Sequence, residues 1–185
     1  MSRLMEGERA PHFSARSFQG DVINLDNYRG KYVLLSFYRY ASCPFCNLRV
    51  HESIQKYESF RANGIEMIAV FQSPDEKLAE YVGKQSLNYP IIGDPGLGIY
   101  ERYGVETSWL GLLKAFLFRP HQILKSVFLR GFFPGSIENE IQRLPADFLI
   151  NPHGKIEIAY YGKDIGDHIA YDTIENELRN DIIES

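Results

Sequence analysis

An α/β fold with a mixed sheet flanked by helices is what this sequence predicts, and three observations carry the prediction. Tyr32–Tyr38 and Ile65–Phe71 are apolar runs of strand length joined by a helical stretch, the succession that yields a parallel pair. Ala146–Ile150 and Lys155–Tyr161 are two further runs, separated only by Asn151-Pro152-His153-Gly154, a tight-turn sequence that predicts an antiparallel hairpin. At 185 residues, 44% hydrophobic and 24% charged, the chain (1–185) has the size and composition of one globular domain with a sizeable core.

The elements follow in order. Through Asn27 the sequence is punctuated by Gly and Asp, with short apolar runs at Phe13 and at Val22–Leu25, and predicts an extended hairpin. Arg29-Gly30-Lys31 marks the turn into the first strong strand. From Asn47 to about Arg61 the pattern is helical, with Asn63-Gly64 as its stop. Cys46, Val50, Ile54 and Tyr57 fall on one face of that helix, and Cys43, Asn47 and His51 on a polar one. This places Cys43 as the exposed thiol and Cys46 as the buried one. Ser73-Pro74-Asp75-Glu76 reads as a capping box, Ser73 at the N-cap, opening a helix to about Ser86. Tyr89–Ile92 is a short strand, Gly93–Gly96 a turn, and a short helix runs through Tyr103. An acidic amphipathic helix from about Tyr171 to Ile183 closes the chain.

Residues of about 105–140 break this rhythm and read as a helical insertion before the C-terminal hairpin. Trp109, Leu112, Leu113, Phe116 and Leu117 keep helical spacing, Leu110 and Phe118 spill onto the other face, and Pro120 divides the segment into two helices. Lys114, Arg119, Lys125 and Arg130 face a single acid, Glu106. The first reading is that its apolar faces pack on the domain or roof the cysteine site. The second is a homodimer joined through it, and the third a peripheral contact with a membrane through bases flanking Trp and Phe.

Charge and cysteine usage exclude several classes. A net charge of −4 offers no electrostatic reason for nucleic acid as a partner. Met1–Ala10 is polar, without the apolar core of a signal peptide, and no run of some 18 apolar residues predicts a spanning helix. A cytoplasmic protein is the expectation. Two cysteines cannot staple a secreted scaffold, so their use is chemical.

Those two cysteines, Cys43 and Cys46, lie in Cys43-Pro44-Phe45-Cys46 between the first strong strand and its helix. One helical turn apart, their sulfurs can meet and close a small disulfide ring, and the strand–turn–helix context points to thiol redox chemistry. Pro44 suits the first helical position and sets Cys43 near the N-cap, where free N–H groups and the positive helix end stabilise a thiolate. Arg39 and Arg49 are candidates to add positive charge. Cys43 then attacks, and Cys46 resolves the product into an internal disulfide. A pair of merely buried small hydrophobes is disfavoured by that context. A zinc half-site would need two more ligands, and the five histidines are scattered, so neither metal nor cofactor is expected.

With these residues in view, the chain resembles the alkyl hydroperoxide reductase/thiol-specific antioxidant (AhpC/TSA, redoxin or peroxiredoxin-like) family of the thioredoxin-like superfamily. The resemblance rests on Gly7-Glu8-Arg9-Ala10-Pro11-His12-Phe13, Gly30–Arg39, Ser42–Cys46, Gly93-Asp94-Pro95, Tyr103-Gly104-Val105 and Leu144–Ile150. It spans nearly the whole chain apart from the insertion. It implies a three-layer thioredoxin-like fold and an enzyme that reduces a small-molecule peroxide or disulfide. Such an enzyme is re-reduced by an external thiol donor such as a thioredoxin or glutathione. The family's P-x-x-x-T/S-x-x-C pattern, counted back from Cys46, meets Arg39 and Cys43 where Pro and Thr/Ser stand, and Pro145 lies where the family carries an Arg. That alignment makes Cys46 the attacking residue, whereas thioredoxin-like C-x-x-C pairs expose the first thiol; the helical-face reading favours Cys43. Pro145 resembles the cis-proline that leaves a strand edge free for substrate, which makes Arg39, Pro44 and Pro145 the substrate-binding candidates. His51 as a proton donor and Asp147 as a proton acceptor are weaker than their readings as solvated helix and strand residues, His168 has no partner visible in sequence, and none of the three is counted as catalytic. The alternative to an enzyme is a non-catalytic redox-sensing or protein-interaction module, with the insertion as its partner surface.

Overall fold

The computed structural model describes residues 2–118, 135 and 137–184. Its central sheet has five strands: β3 (Tyr32–Phe37), β4 (Ile65–Phe71), β5 (Ile91–Gly93), β6 (Ala146–Ile150) and β7 (Ile156–Tyr161). Their spatial order is β5-β4-β3-β6-β7. β3 runs parallel to β4, and β4 to β5, while β6 lies antiparallel to both β3 and β7. A separate antiparallel pair, β1 (Ser14–Arg16) and β2 (Val22–Asn24), forms the expected N-terminal hairpin. The helices are α1 (Pro44–Ala62), α2 (Asp75–Glu80), α3 (Gly98–Arg102), α4 (Trp109–Phe118) and α5 (Tyr171–Glu184). The fold is thioredoxin-like, a mixed sheet flanked by helices.

Two apolar clusters cover the two faces of the sheet, because side chains alternate along each strand. Val33, Leu35 and Phe37 of β3 point to one face, with Phe13, Tyr100, Tyr103 and Phe148. Leu34 and Tyr38 point to the other, where Val50, Tyr57 and Phe60 of α1 and Ile174 and Leu178 of α5 cover them. The β6–β7 turn is held by Asn151, whose Oδ1 accepts from the backbone N–H groups of His153 and Lys155, both at 3.0 Å. Gly154 completes that turn at φ +75°, a conformation that favours glycine.

Three local expectations are corrected. α2 stops at Glu80, followed by a 3-10 turn over Val82–Lys84, and Pro74 occupies its N-cap without a side-chain cap. Ser73 does not cap because its hydroxyl is engaged elsewhere: it accepts from Ala41 N–H at 2.8 Å and donates to Glu138 Oε2 at 2.7 Å. The first turns of α1 have no polar face, since Phe45, Cys46, Asn47 and Leu48 are all buried. In the insertion, Trp109, Leu110, Leu113 and Leu117 of α4 are exposed, so this side does not pack on the domain among the described residues. Only its opposite side does so, through Gly111, Leu112 and Ala115. The stretch after Pro120 lies outside the described residues. No helix among the described residues is long and apolar enough to cross a membrane.

Candidate active site

β3 delivers the chain to the C-terminal end of the sheet, and α1 departs from there. Cys43 is the N-cap of α1, in extended conformation (φ −65°, ψ 121°), with Pro44 opening the helix as the spacing predicted. The turn is held from inside. Cys43 N–H donates to Tyr40 O at 3.0 Å, and the Cys43 carbonyl accepts from Asn47 N–H and from Asn47 Nδ2, both at 3.0 Å. Asn47 Nδ2 also reaches Ala41 O at 2.6 Å. Asn47 is therefore buried as a clasp on this turn, which is why the expected polar face is missing.

Both sulfurs are enclosed: Cys43 is 0% exposed and Cys46 2%. The expected contrast of an exposed and a buried thiol does not hold; the asymmetry is electrostatic instead. Arg39, itself 2% exposed, donates from Nη1 to Cys43 Sγ at 3.2 Å. Burial pushes the Cys43 thiol up, but the hydrogen bond from Cys46, the Arg39 charge and the backbone N–H groups of Cys46 and Phe45 outweigh it. Together they bring it down to about 6. Cys46 goes the other way. Burial, the hydrogen bond it gives to Cys43 and the Cys43 charge hold its thiol well above the ordinary value. Both cysteines are free thiols, one poised as the anion and the other as the proton donor to it.

The guanidinium of Arg39 has three distinct environments. Nη1 meets the sulfur, Nη2 donates to the carbonyl of Ile141, and Nε has no hydrogen-bond partner among the described residues. Its plane also sits 4.9 Å from the Tyr40 ring centre. Arg39 thus touches the Cys43 sulfur and the Ile141 carbonyl. Ile141 belongs to a strap, residues 138–143, that closes the cysteine end. Gln72 Nε2 donates to Glu138 O (2.7 Å) and Glu140 O (3.0 Å), Asn139 Nδ2 donates to Gln72 O (2.7 Å), and Arg143 Nη1 to Val105 O (3.0 Å).

Two expected participants are placed elsewhere. No peptide bond among the described residues is cis, and the Pro145 carbonyl accepts from Gly162 N–H at 2.9 Å. The expected cis-proline is therefore a trans one, its carbonyl engaged by the start of the turn after β7. Arg49 turns away from Cys43: Nη2 donates to Ile169 O at 2.6 Å, and its guanidinium lies 3.7 Å from the Tyr171 ring centre.

Sequence reading missed a second buried polar cluster. Asp147, on β6, accepts from His168 Nδ1 at 3.0 Å and from Ile169 N–H at 2.9 Å. The two side chains are 0% and 6% exposed. Burial pushes the Asp147 carboxyl up, yet His168, Arg49 and a hydrogen bond from Ser36 hold it below the usual carboxylate range. Asp147 and His168 are 21 positions apart with no linking motif, so only the fold joins them. His51 makes its contact with Gln55, 3.1 Å away on the same helix.

The AhpC/TSA family model matches residues 7–159. The chain is 23% identical over 181 residues to a putative peroxiredoxin, Rv2521, of Mycobacterium tuberculosis, covering 98% of this chain and 96% of that one. It is 28% identical over 113 residues to peroxiredoxin Bcp of Escherichia coli, covering 60% and 72% of the two chains. Among solved structures, peroxidoxin BcpB of Mycobacterium tuberculosis superposes with a TM-score of 0.68 at 16% identity, covering 95% of this chain and 96% of that one. A mutant form of PrxQ from Xylella fastidiosa superposes at 0.69 with 13% identity over the whole of both chains.

Proposed function

We propose that this chain, which belongs to the AhpC/TSA family and works by thiol-based redox chemistry, reduces a peroxide or a disulfide through a dithiol–disulfide cycle of Cys43 and Cys46. One observation carries the reading: the Cys43 sulfur accepts from Arg39 at 3.2 Å and from Cys46. A thiolate is stabilised there next to a thiol that is kept protonated.

The steps follow from that asymmetry. With a hydroperoxide, the Cys43 thiolate attacks the terminal oxygen and the O–O bond breaks, giving a Cys43 sulfenic acid and an alkoxide or hydroxide that takes a proton from solvent, the one released when Cys43 ionised. Cys46 then loses its proton and attacks the Cys43 sulfur, expelling water and forming the Cys43–Cys46 disulfide. With a disulfide substrate, Cys43 attacks one sulfur and releases the other as a thiol. Cys46 then attacks Cys43 in the mixed disulfide and frees the second thiol. An external dithiol or two molecules of glutathione return the two electrons. Arg39 and Cys43 stand where the family carries Pro and Thr/Ser, and Pro145 where it carries Arg. The family's peroxide-binding groups are thus replaced, and both substrate classes stay within the reading.

Burial of both sulfurs favours a second reading, a redox-sensing module whose strap shifts with the state of the pair. Stopped-flow turnover with hydrogen peroxide, an organic hydroperoxide and a small disulfide separates the two. The enzyme reading expects turnover with at least one of them, no first step in Cys43→Ser, and an intact first step in Cys46→Ser that stalls before the internal disulfide. Absence of turnover with all three, alongside a redox-dependent change of conformation, supports the module. A first step lost in Cys46→Ser and kept in Cys43→Ser reverses the assignment of roles.

A further inference from the structure

We propose that a basic cleft at the start of β3, the end of that strand away from the cysteine turn, binds a small phosphate monoester. Its phosphate would lie among Arg9, His12 and Arg29, with its organic body on the apolar floor of the cleft. This inference does not depend on the dithiol reading. The cleft holds about 410 Å³, within the range of small-molecule sites. Its floor includes Leu25 and the pair Val33 and Ile150, which face each other across β3 and β6; all three are buried. Its walls come from three segments, each tied by hydrogen bonds. In the N-terminal segment, Ala10 N–H donates to Gly154 O at 3.0 Å and the Tyr103 hydroxyl donates to Pro11 O at 2.9 Å. The 3-10 turn Leu25–Tyr28 is capped by Asn24 Oδ1, which accepts from Asp26 N–H at 2.9 Å. The β6–β7 turn is joined to these by Gly30 N–H, which donates to Pro152 O at 3.0 Å, and by Arg29, whose Nη1 donates to the His153 carbonyl. A frame tied in this way is preformed, so little ordering is left for a ligand to bring about.

Charge selects the ligand. Arg9, His12, Arg29 and Lys31 line the cleft against a single carboxylate, Asp26, on a chain whose net charge is −4. Asp26 is shared between two of them: Oδ2 meets His12 Nδ1 at 2.8 Å, and Oδ1 meets Arg29 Nη2 at 3.2 Å. Lys31 is matched from outside the lining by Glu66 at 2.7 Å. The Arg9 side chain has no hydrogen bond or ion pair among the described residues. The cleft therefore keeps one guanidinium unanswered and asks one acid to serve two further donors, which gives it a positive field on an acidic protein. A guanidinium presents paired N–H groups that match the oxygens of a phosphate. A phosphate monoester has three terminal oxygens, enough for both guanidinium groups and for His12, where a carboxylate has two.

Calorimetric titration of the full-length protein with phenyl phosphate, inorganic phosphate and benzoate tests this assignment. Phenyl phosphate is expected to bind at least roughly tenfold more tightly than either of the others, which lack the apolar body and the third oxygen respectively. Arg9→Ala should weaken its binding roughly tenfold, the loss of a charge-assisted hydrogen bond. Asp26→Asn should tighten it severalfold, because the acid that holds His12 and Arg29 no longer competes with the phosphate. The alkylation rate of Cys43 stays unchanged in both variants, which shows that the fold is intact. Four outcomes overturn the proposal: no binding of phenyl phosphate at millimolar concentration, benzoate or inorganic phosphate bound as tightly, an affinity indifferent to Arg9→Ala, or one weakened by Asp26→Asn. The last would make Asp26 part of the frame and not a competitor of the ligand.

Discussion

Two buried charge clusters lie on the same face of the sheet, and they differ in how fully their groups are paired. Around Asp147 every demand is met: the carboxylate takes His168, Ile169 N–H and Ser36, with Arg49 close by. Around Cys43 the balance is left open. Arg39 has an unsatisfied Nε, one arm on a sulfur and the other on a carbonyl of a strap. A satisfied buried pair is inert because each partner removes the other's reason to react. The Cys43 thiolate is instead held by one cation, with the raised Tyr40 phenol and the raised Cys46 thiol beside it.

The largest test of this contrast is at the sulfur. Cys43→Ser should abolish turnover and leave the midpoint of thermal unfolding close to that of the parent, which separates chemistry from scaffolding. Asp147→Asn should do the opposite. Removing the charge strands His168 and Arg49, and should lower stability by about 3–5 kcal/mol in a urea titration, while the pH midpoint of Cys43 alkylation stays put. A shifted midpoint would mean that the clusters are coupled. The sign of the Asp147 contribution is fixed by its depressed carboxyl: its stabilisation is complete above the ordinary carboxylate range and is lost as pH falls through the lowered one.

Arg39→Met comes next in size. Cys43 alkylation should titrate near pH 6 in the parent, and move upward toward the ordinary thiol range in the variant. At pH 7 the rate should drop roughly tenfold. A midpoint unchanged by Arg39→Met would leave the helix terminus and Cys46 as the whole cause. The smallest effect is expected at the strap. Asn139 sits at φ +57° and holds Gln72 O and Pro95 O. Asn139→Gly keeps that backbone conformation and removes both hydrogen bonds, worth about 1 kcal/mol each. A bulky thiol reagent should then reach Cys43 severalfold faster, with little change for a small one. Equal acceleration for both reagents would argue against the strap as the barrier.

Legibility from sequence followed the range of the interactions. The β3–α1–β4 unit, the β6–β7 hairpin and α5 were readable because apolar periodicity and turn residues are local signals. Cys43 and Cys46 were readable for the same reason, since a three-residue offset places both sulfurs on one helical turn. Ser73 was misread as a cap because its competing partners, Ala41 and Glu138, are remote in sequence. Asn47 was placed on a polar helical face, and the turn it clasps buries it instead. Pro145 was expected to be cis and is trans, since a peptide isomer is set by the surrounding packing and not by local sequence.

What the order of residues determined alone is the redox turn: Pro44 at the first helical position, a thiol at the N-cap, and a second thiol one turn on. Packing decided the rest. It carried Arg39 onto Cys43, tied the strap to Arg39 and Gln72, joined Asp147 to His168 and left one side of α4 exposed. The reason is physical. Backbone geometry propagates over a turn or two, whereas the direction of a buried charge depends on which distant groups must be neutralised once water has gone.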